Sequence, residues 1–64
     1  MNDDLITAQE IRAARKKAGL THAELHSLLG MPIRTIEDWE SGRKKPAEYR
    51  KRLLLFFLEH YNKV

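Results

Sequence analysis

The side chains of this 64-residue chain best suited to chemistry are clustered cations and one spaced pair of histidines. Arg43-Lys44-Lys45 and Arg50-Lys51-Arg52 concentrate positive charge after position 42. Residues 43–64 hold seven basic groups against two acidic ones, whereas residues 19–42 set Arg34 against Glu24, Glu37, Asp38 and Glu40. A basic cluster in so small a domain suits a polyanion, most often nucleic acid. The plainer reading is a solvated helix face, and composition by itself favours it. His22 and His26 lie four apart, the spacing of a helical metal pair. No third histidine or suitably spaced glutamate completes a ligand set, since Glu24 faces another side, so neither metal nor cofactor is expected. There is no glycine-rich phosphate loop, no pair of carboxylates placed for a cleft and no serine–histidine arrangement. The absence of cysteine removes thiol nucleophiles, disulfides and thiolate zinc sites. The chain is expected not to be an enzyme, and no catalytic residue is assigned.

The elements that position these groups announce themselves through capping signals. Thr7 and Glu10 have the spacing of a capping box, with Ile6 able to staple onto Ile11, and the helix they open should run to Ala18 and stop at Gly19. The same grammar repeats at once: Thr21 and Glu24 form a second box, Leu20 staples onto Leu25, and Gly30 ends the helix. Pro32 opens a third segment, Ile33 to Ser41, closed by Gly42. Beyond the basic loop 43–46 and its Pro46, a fourth helix is predicted over 47–61. Tyr49, Leu53, Phe56, Phe57 and His60 share one of its faces, which is expected to pack the core. No run alternates as a strand would. The fold expected is all-α, a compact single domain over residues 1–64 with four to five helices.

The longest apolar run, Leu53 to Leu58, is far short of a membrane span, and the acidic start Met1-Asn2-Asp3-Asp4 is unlike a signal peptide. A cytoplasmic chain with no membrane partner is expected. Helices 2 and 3 are joined only by Gly30-Met31-Pro32, and two short helices on such a turn cross steeply. That is either a plain αα corner or a helix-turn-helix over residues 21–41. Its core would be Leu25, Leu29, Ile36 and Trp39, and the outer face of helix 3 would be free to enter a DNA major groove.

Residues 19–46 carry Gly19-Leu20-Thr21, Leu25, Leu29-Gly30, Ile36, Trp39-Glu40, Gly42 and Pro46, with Arg15 upstream. With this spacing the chain resembles the Cro/repressor-type, XRE-like helix-turn-helix family over about residues 8–58. The resemblance implies a lambda-repressor-like fold that binds operator DNA, usually as a dimer on inverted half-sites. It places Ile33, Arg34 and Asp38 where base edges are read, and His22, Thr35, Ser41, Arg43, Lys44 and Lys45 along the phosphate backbone. Arg15 and Glu40 match an internal salt bridge tying helix 1 to the end of helix 3. Three residues depart from the family pattern. His26 stands where alanine is usual and must point outward or widen the crossing; Pro32 replaces a hydroxyl cap; Met31 replaces valine.

Arg34 can read guanine through its fork, being the only cation on helix 3, and Asp38 can either accept from cytosine or orient Arg34 across an i, i+4 pair. Orientation is preferred, because a bare carboxylate near phosphates is costly. Leu54, Leu55, Leu58 and Tyr61 form a second apolar side of helix 4, more than a surface helix needs, and are assigned to a homodimer interface. The function expected is a sequence-specific, dimeric (auto)repressor on an inverted-repeat operator of double-stranded DNA. Its alternative is an antitoxin or adaptor that masks a protein partner through helix 4. Small members of the family include phage switch regulators, antitoxins and anti-CRISPR-associated regulators, and these residues do not choose among them.

Overall fold

A computed structural model describes residues 3–61, with side chains from Leu5 onward. The acidic start at Met1-Asn2-Asp3-Asp4 therefore lies outside the described side chains. Four helices follow one another: α1 (Asp3–Ala18), α2 (His22–Leu29), α3 (Ile33–Ser41) and α4 (Glu48–His60). Among the described residues there is no strand. α1 is the hub, packing against both α3 and α4, while α2 packs against α3.

The capping signals at α2 are realised in full. Thr21 Oγ1 accepts from the Glu24 amide at 3.1 Å, and Glu24 Oε1 accepts from the Thr21 amide at 3.0 Å. Gly30, at φ +74°, closes the helix by donating its amide to the His26 carbonyl at 2.7 Å. The first box is not realised. α1 begins at Asp3, a turn earlier than the capping signal implied, so Thr7 lies inside the helix and is buried. Because the helix already runs through Leu5 and Ile6, the amides that Thr7 would cap are engaged in helical hydrogen bonds.

The core gathers Ile11, Leu20, Leu25, Ile36, Trp39, Leu54 and Leu58. Here α4 corrects the sequence reading. Leu54 and Leu58 are buried, with Leu55, Phe57 and Tyr61 packed beside them, while Tyr49, Leu53 and Phe56 are 61%, 66% and 63% exposed. The face assigned to a dimer is thus the core face, and most of the face assigned to the core is outside. The small side chains Ala14 and Ala18 on α1 pack against this core together with Leu55 and Tyr61, leaving room for the leucines of α4. Lys51 sets the same rotation, its Nζ 3.1 Å from Glu10 Oε1 on α1. Leu29 is a second correction: it is exposed, because α4 packs on α1 and leaves a groove of about 530 Å³ beside the α2–α3 turn.

Candidate nucleic-acid interface

The outward side of α3 is built by its two ends. Pro32 starts the helix with no side-chain cap, its carbonyl accepting from the Thr35 amide at 3.0 Å. Gly42, at φ +80°, turns the chain back so that the amides of Arg43 and Lys44 both reach the Asp38 carbonyl, at 3.0 and 3.3 Å. Ser41 Oγ donates to the same carbonyl at 3.1 Å and accepts from the Arg43 amide at 3.3 Å. Ser41 therefore serves the helix end, whatever else it meets.

This turn brings together groups that lie apart in the sequence. Asp38 is only 5% exposed, and its carboxylate lies 3.9 Å from Arg34 Nε, 3.6 Å from Arg43 Nη1 and 3.8 Å from Lys44 Nζ. All three cations are well exposed. Asp38 is thus recessed beneath the cations rather than presented to a groove, which corrects its assignment as a base contact and favours its role as an organiser. Arg34 was linked to Asp38 by i, i+4 spacing; the approach of Arg43 and Lys44 was not, since it depends on the direction of the chain after Gly42. Ile33, Arg34 and Lys45 are exposed. Thr35 is half-buried and lines the groove toward α4 with Pro32 and Leu53, away from the cation cluster.

Behind α3 lies a buried ion pair. Glu40 accepts from Arg15 Nε at 2.7 Å and Nη2 at 3.0 Å, and from His22 Nε2 at 3.1 Å. Arg15 Nη1 also donates to the Leu20 carbonyl at 2.9 Å. Burial pushes the Glu40 carboxyl up, but the hydrogen bonds from Arg15 and His22 and the arginine's charge outweigh it and hold the group below its usual range. His22 sits at the first turn of α2, half-buried, between Glu40 and solvent. Its link to Glu40 was not legible in the sequence, because the two residues belong to different helices. His26 points outward, as its size required, and its Nδ1 donates to the Met31 carbonyl at 2.6 Å across the α2–α3 turn. Among the described residues no group of three or more His, Cys, Asp or Glu could hold a metal ion, and no helix is long and apolar enough to cross a membrane.

No match to this chain is found among curated proteins or among solved structures. A family model described as a helix-turn-helix domain matches residues 8–62, nearly the whole described chain. With α2 and α3 following one another across the short turn 30–32, the chain belongs to the helix-turn-helix family of the XRE/Cro-like, DNA-binding type.

Proposed function

We propose that this chain is a sequence-specific transcriptional regulator that binds double-stranded operator DNA as a homodimer, repressing from an inverted repeat and acting on its own operon. It would work in the cytoplasm or nucleoid. The observation that carries this reading is the set of exposed cations, Arg34, Arg43 and Lys44, gathered around the recessed Asp38 carboxylate on the outward side of α3. Arg34 is the base reader of this set, with Ile33 beside it for a thymine methyl. Arg43, Lys44 and Lys45 hold phosphates on one side and His22 on the other, with Ser41 beside them; Thr35, turned into the groove toward α4, is left out of the contact set. Arg15 and Glu40 fix α1 to α3 and so set the pose of the recognition helix.

A mobility-shift titration against the DNA upstream of its own gene tests the proposal. A retarded complex should form that outcompetes random duplex and weakens steeply with salt. Equal binding to both DNAs, or none to either, would defeat it. The second outcome would favour an adaptor that binds a protein instead.

A further inference from the structure

The exposed apolar residues of α4 are not scattered. Tyr49, Leu53, Phe56 and His60 are all exposed and succeed one another at intervals of four, three and four residues. Alternating steps of four and three keep these side chains on one line along the helix, the spacing of a seam between two paired helices. α4 already packs on its own domain through Leu54, Leu55 and Leu58, facing α1. The seam is therefore a second, outward face. Two of its side chains also meet each other: the rings of Phe56 and His60 lie 4.2 Å apart, and His60 Nδ1 donates to the Phe56 carbonyl at 2.9 Å.

The spacing four, three, four reads the same in both directions. A helix running antiparallel about a two-fold axis between residues 54 and 55 would therefore meet this seam with the same seam. Leu53 would face Phe56 of the second copy, and Tyr49 would face its His60. The charges agree with that direction. Arg52, whose Nε also holds Glu48 Oε2 at 3.1 Å within the helix, and Glu59 lie seven residues apart on one edge of the seam, both exposed. Reversing one helix sets Arg52 beside the second copy's Glu59 twice over, whereas parallel helices would stack the basic halves 50–52 against each other.

We infer that a second copy of this chain docks antiparallel on the Tyr49-Leu53-Phe56-His60 face of α4, with Arg52 paired to Glu59 across the two-fold. This rests on the reading of the protein as a dimeric regulator and replaces the interface expected from sequence.

Sedimentation equilibrium of the full chain without DNA tests the interface. The wild type should dimerise below roughly 100 μM. Phe56→Glu should raise the dissociation constant at least about tenfold while keeping the helical circular dichroism, since Phe56 lies outside the core. Arg52→Glu should weaken the dimer by about tenfold as well, and Arg52→Glu combined with Glu59→Arg should restore it. A monomeric wild type at that concentration, a Phe56→Glu variant that still dimerises, or a double swap as weak as the single one would each overturn the inference. Binding of the wild type to a short random duplex at low salt is measured alongside. Its absence would defeat the DNA-binding reading while leaving the sedimentation result to judge the interface.

Discussion

Arg15 grips Glu40 through two parallel hydrogen bonds, Nε to Oε2 at 2.7 Å and Nη2 to Oε1 at 3.0 Å, joining residues 25 positions apart. The two side chains are 12% and 7% exposed, so water screens the pair poorly. The third guanidinium nitrogen holds the Leu20 carbonyl at the α1–α2 corner. One arginine thereby fixes three helices relative to one another.

Arg15→Ala should accordingly be among the most damaging single substitutions. It leaves the Glu40 carboxylate buried with only His22, a loss of about 3–5 kcal/mol. At about 4–8 °C per kcal/mol for a domain of this size, melting should fall by more than ~12 °C. Arg15→Lys keeps the charge but not the two-pronged geometry, so thermal melts should place it between alanine and wild type.

The same pair predicts acid sensitivity. Glu40 titrates below the ordinary glutamate value of 4.5 in the folded protein. The unfolded chain therefore takes up its proton first as pH falls. The stabilisation is full at neutral pH and is lost as pH drops from about the ordinary value through the folded one. Urea melts between neutral pH and pH 3 should show this fall, and it should be reduced in Glu40→Gln, which starts less stable at neutral pH.

Reading and holding should separate in mutants of the exposed cations. Arg34→Ala removes a fork worth about 1–3 kcal/mol of base discrimination. Operator binding should weaken while random-duplex binding and the salt slope stay nearly unchanged. Lys44→Ala should weaken both and flatten the slope by about one unit. Equal losses on both DNAs for Arg34→Ala would make it a phosphate clamp.

Asp38 draws three exposed cations toward one recessed carboxylate, in competition with phosphate. Asp38→Asn should tighten binding to random duplex by about 1 kcal/mol, roughly fivefold, and narrow the gap to the operator. Fluorescence anisotropy at low salt measures this. Weaker binding to random duplex would instead show that the carboxylate positions those cations for the backbone.

What could be read without coordinates was local. The Thr21–Glu24 box, the turns at Gly30 and Gly42 and the bounds of α2 and α3 depend on residues within one helical turn, and four of the core positions, Ile36 and Trp39 on α3 with Leu20 and Leu25 at the start of α2, follow from their short spacing. The grouping of Arg34, Arg43 and Lys44 around Asp38 needed the chain direction after Gly42, and the His22 link to Glu40 needed the crossing of α2 and α3. The rotation of α4 was beyond the sequence altogether. Its two apolar faces both repeat with helical period, and periodicity states which residues share a face but not which face meets the domain. That choice was made by α1, whose Ala14 and Ala18 leave space for Leu55 and Leu58 and whose Glu10 holds Lys51, turning Tyr49, Leu53 and Phe56 outward.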